Sequence, residues 1–196
     1  MAAELPRPIL RLARWARMRL GEAGPAVVVD ATAQLLHWVD EGGDWFRYPV
    51  STARAGTGSM EGSLRTPLGL HRVSERIGAG AALGAVFKGR RPTGTVARIL
   101  TEPVPAEQDA VTTRILRLEG LDPGLNRGLG IDTRERYVYI HGTPEEGFIG
   151  RPASIGCIRM RNGDVADLFE RVTEGTPVVI TRAPTAFLLP DAWGTA

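Results

Sequence analysis

Short apolar runs separated by turn residues dominate the chain from residue 25 onward. The runs are rich in β-branched and aromatic residues and are bounded by Gly, Pro, Asn, Asp or Ser, a pattern typical of β-strands. We predict strands over residues 26–30, 34–40, 45–51, 68–75, 112–119, 136–141, 157–160 and 177–181, with a hairpin turn at 41–44. The pattern therefore predicts a mostly β domain that is β-sandwich-like, with sheets packed face to face and one or two helices.

The first helix is predicted near the N-terminus, over residues 8–20. Arginines at 7, 11, 14 and 17 fall on one face, and the apolar face carries Ile9, Leu12, Ala13, Ala16 and Leu20. Such a helix either packs on the domain with its arginines in solvent or lies on a membrane surface or a partner. We favour the first reading because packed amphipathic helices are common in soluble proteins.

A second helix is predicted late in the chain. Asn162 or Asp164 is expected to cap it, and Glu174-Gly175 to stop it. Its apolar stripe consists of Val165, Leu168, Phe169 and Val172.

The stretch from Gly78 to about Ala110 differs from the rest, because Gly, Pro, Ala and Arg dominate it. Long connections in compact domains are often lids or binding loops. We therefore expect a lid-like loop over the active site, in which Arg90 and Arg91 meet substrate carboxylates. An exposed basic loop without a ligand is an equally good interpretation.

Composition narrows the class of protein. The chain has 196 residues, of which 43% are hydrophobic and 23% charged, and a net charge of +2, as expected for one globular domain. We divide it into an N-terminal extension (1–24), a body (25–182) and a C-terminal tail (183–196). No dense basic block indicates nucleic-acid binding, and the spacing of cysteine and histidine predicts neither a metal site nor a cofactor.

The first twenty residues predict a location. Arginines interrupt them, so they lack the uninterrupted apolar core of a secretory signal. No other segment has the length of a transmembrane span. We expect a cytoplasmic protein, or a periplasmic one if the start is misplaced or the chain is trimmed.

The chain's only cysteine, Cys157, follows His141 by 16 residues. His141 ends the run Tyr-Val-Tyr-Ile, and Cys157 lies in Ser154-Ile-Gly-Cys-Ile-Arg-Met. A thiol becomes a good nucleophile as the thiolate, and a nearby imidazole commonly provides for this. This pairing predicts a cysteine acyltransferase, whereas an inert buried cysteine is the alternative.

These residues resemble the L,D-transpeptidase catalytic domain of bacterial cell-wall enzymes. That family's signature is His-Gly or His-Ser, a spacer of this size, then Ser/Thr-His-Gly-Cys with an apolar residue and Arg or Asn. Here Ile155 replaces the second histidine. Thr66-Pro67-Leu-Gly69 resembles the family's Thr-Pro-x-Gly turn, and the resemblance covers roughly residues 25 to 181.

The resemblance implies a role for each matching position. Cys157 is the nucleophile, His141 the base, and the carbonyl of Gly142 orients the imidazole ring. Amides around Gly156 form an oxyanion hole, and Ser154 supports the turn or binds substrate. Arg159 would clamp a substrate carboxylate, although either Ser154 or Arg159 could be structural.

The implied substrates are peptidoglycan stem peptides or soluble muropeptides. Cys157 would form a thioester and release terminal D-alanine. An amine acceptor then gives transpeptidation, and water gives L,D-carboxypeptidase activity. Isoleucine cannot donate a hydrogen bond, so an enzyme attenuated by Ile155 is expected. The alternative is a muropeptide-binding module with little or no catalysis.

Overall fold

The computed structural model describes residues 4–183, which form two α-helices, one 3₁₀ helix and ten strands. The helices are α1 (Arg7–Leu20), α2 (Asn162–Arg171) and the 3₁₀ helix (Glu146–Phe148). The strands are β1 (Ala26–Asp30), β2 (Leu35–Val39), β3 (Trp45–Pro49), β4 (Gly69–Ile77), β5 (Ala85–Lys88), β6 (Arg91–Val96), β7 (Val111–Gly120), β8 (Tyr139–Gly142), β9 (Ile158–Met160) and β10 (Pro177–Thr181). Residues 184–196 of the predicted C-terminal tail lie outside the described residues.

The ten strands of this described region belong to one hydrogen-bonded sheet, in the order β3-β2-β1-β10-β4-β7-β5-β6. β8 pairs with β7 and β9, outside this path. The β7–β8 ladder is interrupted between Thr112 and Ile115, where Thr113 has a φ of 65°. A bulge of this kind bends a strand and increases its twist. The sheet therefore curls, with β8 and β9 branching from the bend.

The centre of the sheet is buried on both faces. β1 and β10 are parallel neighbours. Val27 and Val29 join the main core, to which α2 contributes, whereas Ala26 and Val28 join a second cluster with α1. Strands covered on both faces need apolar residues at every position, which explains the unbroken Ala-Val-Val-Val run.

α1 covers the face opposite α2 and contacts β1, β2 and β10. It buries Ile9, Leu12, Ala13 and Ala16. Arginines 7, 11 and 14 are exposed. Gly21 ends the helix in a left-handed conformation, with φ 63°. This conformation lets backbone amides at the cap donate hydrogen bonds to the last carbonyls of the helix. The helix thus packs on the domain.

Most elements lie where the sequence predicts them. Each of the eight predicted strands is present, with ends displaced by three residues at most. The mostly β architecture with two α-helices is confirmed. The faces expected to belong to packed sheets belong to a single curled sheet.

Two local predictions are wrong. Within the expected loop, β5 and β6 form a hairpin whose turn, Gly89-Arg90, has φ values of 55° and 66°, typical of a type I′ turn. β6 could not be predicted from the sequence, because all six of its residues are exposed and the strand therefore shows no alternation of apolar and polar residues. Neither Asn162 nor Asp164 caps α2, since Arg161 holds the N-cap position without a side-chain bond.

Candidate active site

The parallel pair β8–β9 brings together the predicted base, which lies on β8, and the predicted nucleophile, which lies directly before β9. His141 lies opposite Arg159, and Ile140 opposite Ile158. Cys157 immediately precedes β9, so it stands diagonal to His141. Because alternate residues of a strand face the same side, His141, Cys157 and Arg159 share one face. Ile140 and Ile158 pack into the main core on the other.

His141 is held as a neutral imidazole. Only 4% of its surface is exposed, and its Nδ1 lies 2.7 Å from the Gly142 carbonyl oxygen. That oxygen only accepts, so Nδ1 carries the proton and Nε2 presents its lone pair. Burial lowers the pKa of His141 to about 4; the bond to Gly142 opposes this, and the charge of Arg159 adds to it.

Gly142 occupies a position where the sheet leaves no room for a side chain. A Cβ would lie 2.7 Å from Asn162 Oδ1 and 2.8 Å from the main-chain oxygen of Thr112. Thr112 Oγ1 donates to Asn162 Oδ1 across 2.6 Å, and Asn162 Nδ2 donates to Thr143 O across 2.9 Å. The amide expected to cap α2 thus supports the strand that orients His141.

Cys157 is half-buried, and two tyrosines contact its sulfur through their main chains. The Tyr139 amide donates to Sγ across 3.3 Å, and the thiol donates to the Tyr137 carbonyl across 3.5 Å. Tyr137 has a φ of 56°, which is uncommon for a residue other than glycine. Burial raises the pKa of Cys157 to about 11, although the Tyr139 amide and Arg159 oppose this rise. The sulfur is therefore a thiol at neutral pH.

Side-chain hydroxyls fix the turn before Cys157. Ser154 Oγ donates to the Cys157 carbonyl across 2.6 Å and accepts from the Gly156 amide at 3.2 Å. Thr66 Oγ1 donates to the Gly156 carbonyl across 3.0 Å and accepts from the Ala53 amide at 2.9 Å. Gly156 has a φ of 140°, which favours glycine. The Gly156 amide, predicted as an oxyanion donor, is here bound by Ser154.

Arg159 lies on the site face and is already paired. Its side chain is 5% exposed, and Nη1 donates to Glu145 Oε2 across 2.8 Å. Nη2 donates to Asp109 Oδ2. The guanidinium that we predicted to bind a substrate carboxylate is therefore occupied by two carboxylates of the chain itself.

A cavity of ≈ 430 Å³ opens beside the Cys157 turn, whose Ser154 and Ile155 line it. The remaining lining residues are Arg54, Ala55, Leu64, Asp109, Glu145, Ala153 and Arg159. Ile155 is 64% exposed and Leu64 is 53% exposed. The residue that replaces the family histidine thus contributes an apolar wall to a cavity that otherwise holds four charged groups.

Of the two predicted loop arginines, only Arg90 reaches the site. From the tip of the β5–β6 hairpin its Nη1 donates to the Tyr139 hydroxyl across 3.3 Å. Its guanidinium carbon lies 5.7 Å from the centroid of the Tyr137 ring, within range of a cation–π contact. Arg91 is exposed on β6. Arg90 therefore contacts the two tyrosines that hold Cys157.

The sequence did not predict several residues that build this site. The Thr-Pro-x-Gly pattern indicates only a turn at Thr66, yet the Thr66 hydroxyl also fixes the Gly156 carbonyl. Glu145 follows His141 closely in the sequence, and this proximity could have indicated that Glu145 belongs to the site. Asp109 lies far upstream, and no local pattern connects it with Arg159. Tyr137 belongs to the run that precedes His141, but its backbone conformation could not be inferred.

The groups around Cys157 suit covalent acyl transfer, in which an imidazole moves protons for a thiol. Within residues 4–183, no group of three or more histidine, cysteine, aspartate or glutamate side chains is placed to hold a metal ion. Neither helix of this part of the chain has the length and apolar character needed to cross a membrane.

Segments of the chain are similar to curated bacterial proteins. It is 45% identical over 58 residues to the "Putative L,D-transpeptidase YqjB" of Bacillus subtilis, which covers 28% of this chain and 33% of that protein. It is 47% identical over 45 residues to the "Probable L,D-transpeptidase YcfS" of Escherichia coli, covering 23% and 14%. The matches thus span a third or less of these relatives.

Comparison of structures and of family models extends the similarity to most of the chain. An L,D-transpeptidase from Mycobacterium smegmatis matches 81% of this chain and 59% of its own, with 19% identity and a TM-score of 0.50. At this identity the likeness concerns the fold. Residues 24–180 match the model of the YkuD family, described as the L,D-transpeptidase catalytic domain. The chain therefore belongs to the YkuD L,D-transpeptidase family.

Proposed function

We propose that this protein is a cysteine-dependent acyltransferase that acts on peptidoglycan stem peptides. The observation that supports this most directly is the state of His141. Its Nδ1 proton is committed to the Gly142 carbonyl, so Nε2 is a free acceptor on the strand beside Cys157. Family membership supports the class of reaction, and this geometry supports His141 as its general base.

In the first step Cys157 Sγ attacks the carbonyl carbon of the bond between the L-centre of diaminopimelate and terminal D-alanine. The thiol turns from the Tyr137 carbonyl toward His141 Nε2, which takes its proton. Because the pKa values are about 11 and about 4, proton transfer accompanies attack rather than preceding it. The negative oxygen that develops accepts hydrogen bonds from main-chain amides of the Cys157 turn, including that of Gly156 once it leaves Ser154.

In the second step the tetrahedral intermediate collapses and the carbon–nitrogen bond breaks. His141 returns the proton to the departing amine of D-alanine, which leaves a thioester on Cys157. An acceptor amine then attacks the thioester carbonyl and gives a proton to His141, which passes it to the leaving sulfur. With water as acceptor, the same sequence releases a tripeptide.

Ile155 limits the rate in this proposal. It lies between Ser154 and Gly156 and presents an apolar, exposed side chain where the family has a histidine. A hydrogen-bond donor at an oxyanion site contributes about a hundredfold to the rate or more. The nucleophile and the base remain, so we propose an attenuated enzyme.

The test is to incubate the protein with a tetrapeptide stem and measure intact protein mass and released D-alanine. Wild type should release D-alanine and show a transient mass increase equal to the tripeptide acyl group. The Cys157→Ala variant should do neither. Tripeptide as product would identify an L,D-carboxypeptidase, and dimers or exchanged peptides a transpeptidase. Saturable binding of the peptide without release would refute catalysis and leave a muropeptide-binding module.

A further inference from the structure

The two carboxylates that bind Arg159 differ in how firmly they are held. The Glu145 side chain is 10% exposed, and its second oxygen, Oε1, accepts from the Ala106 amide across 2.9 Å. The Asp109 side chain is 41% exposed. Asp109 also lies in residues 97–110, a fully described stretch that contains neither helix nor strand. Asp109 is therefore the partner that Arg159 can release at the lower cost.

The same three side chains line the cavity beside Cys157. Arg159, Asp109 and Glu145 share its wall with Ser154 and Ile155 of the nucleophile's turn. The Arg159 side chain is only 5% exposed, and on this side its Nη2 donates to Asp109 Oδ2. A carboxylate that enters the cavity meets the guanidinium at the place where Asp109 binds it.

The charges of the cavity favour replacement of Asp109 by an incoming carboxylate over binding of that carboxylate beside Asp109. Arg54 and Arg159 supply two positive charges, and Asp109 and Glu145 supply two negative ones, so an added carboxylate would leave an excess of negative charge. Burial raises the pKa of Asp109, Arg159 opposes the rise, and Glu145 adds to it. If Asp109 moves into solvent as the new carboxylate binds, the balance of charge around Arg159 does not change.

We propose that Asp109 competes with a carboxylate of the donor peptide for Arg159 and so acts as a specificity-determining residue. The identity of the ligand rests on the proposed function above. The competition rejects peptides whose corresponding carboxyl group is amidated, because a neutral amide cannot replace the charge of Asp109 on a buried guanidinium. It also lowers the affinity for the correct peptide, since every binding event must displace Asp109.

The proposal is tested by whether Asp109→Asn raises or lowers the affinity for the peptide. Binding of a tetrapeptide stem would be measured by calorimetry in Cys157→Ala protein, which prevents turnover, with and without Asp109→Asn. A second tetrapeptide, amidated at its diaminopimelate and D-alanine carboxyl groups, serves as the matched ligand. Glu107→Gln is the matched variant, because it removes one negative charge at an exposed position two residues away.

If Asp109 competes, Asp109→Asn binds the carboxylate peptide about fivefold more tightly, the scale of a partly exposed ion pair. Asp109→Asn should change the affinity for the amidated peptide by less than about twofold. Glu107→Gln should change the affinity for the carboxylate peptide by less than about twofold. Weaker or unchanged binding of the carboxylate peptide to Asp109→Asn would overturn the inference while leaving the proposed function intact. If every protein tested, including the Cys157→Ala protein with Asp109 unaltered, binds neither peptide, both the inference and the proposed function are refuted.

A measurement on protein with an unaltered Asp109 guards against misfolding of the variant. Hydrogen exchange of the amides around Asp109 should become faster when the carboxylate peptide binds, because that segment loses its contact with Arg159. Slower exchange there on binding would contradict displacement, since it would mean that Asp109 stays and is ordered by the ligand.

Discussion

Strands β8 and β9 present two faces of opposite character. On one face Ile140, Ile158 and Met160 are fully buried in the main core. On the other, His141 and Arg159 are also buried, but each is held by directional bonds, to Gly142 and to Glu145 respectively. Packing tolerates small adjustments at a cost in stability, whereas a bond that orients an imidazole has one useful geometry.

A single layer of backbone therefore separates the packing that stabilises the fold from the groups to which we assign the proposed chemistry. A substitution on the core face should change the free energy of unfolding and leave the chemistry of folded molecules intact. Substitution of His141 on the site face should do the reverse, because it leaves the main core and the buried ion pair of Arg159 intact.

His141→Asn, on the site face, is expected to have the largest effect. Loss of a positioned general base should lower the rate of D-alanine release by about 10²–10⁴-fold. The thermal unfolding midpoint should change little, because the main core is untouched. An unaltered rate would show that another group removes the thiol proton.

Ile140→Ala, one residue earlier and on the core face, should lower the free energy of unfolding by about 2–5 kcal/mol. Chemical denaturation measures this, with Val96→Ala as the control because Val96 is 63% exposed on β6. The rate per folded molecule should stay within about twofold of wild type. A rate loss as large as that of His141→Asn would show that the two faces are coupled.

Ile155→His should raise the rate of D-alanine release by up to about a hundredfold if a donor at this position serves the oxyanion. Leu64→His is the matched control, because Leu64 is the other large apolar residue of the cavity wall with an exposed side chain. Equal rates for Ile155→His and wild type would remove the basis for attenuation.

The pH dependence of alkylation should report the resting state of Cys157. Because burial raises its pKa to about 11, the thiolate fraction at neutral pH is small. Iodoacetamide should therefore react about tenfold faster for each unit of pH between about 7 and 10, without a plateau. A rate that is already high and flat near pH 6 would instead indicate a preformed thiolate–imidazolium pair.

Arg90→Ala should have the smallest effect, a loss of about two- to fivefold in rate. Arg90 acts on Cys157 only through Tyr137 and the Tyr139 hydroxyl, and partly exposed cation–π contacts are weak. Arg90→Lys should recover part of the loss, and Arg91→Ala should have no effect. Equal losses for both arginines would favour direct binding of substrate by the hairpin.

Much of this molecule was predictable because its signals are local. Strand positions follow from β-branched runs between turn residues, and α1 and α2 follow from apolar periodicity. The positions of His141, Gly142 and Cys157 also follow from the sequence, since a strand, a spacer and a second strand carry them. Hydrophobic patterning fixes such features because each residue responds to burial of its own face.

The contacts between polar groups depend on the fold and are not visible in the sequence. Arg159 forms ion pairs with Asp109 and Glu145. The Asn162 side chain accepts hydrogen bonds from the threonines of β7 instead of capping α2. The exposed strand β6 forms because it pairs with β5. Hydrogen bonds and ion pairs depend on distances of a few ångströms between residues far apart in the chain, and no periodicity records those distances. Sequence patterns therefore predict eight of the ten strands described, both α-helices and the spacing of His141 and Cys157, whereas the fold sets the charges and hydrogen bonds around those two residues.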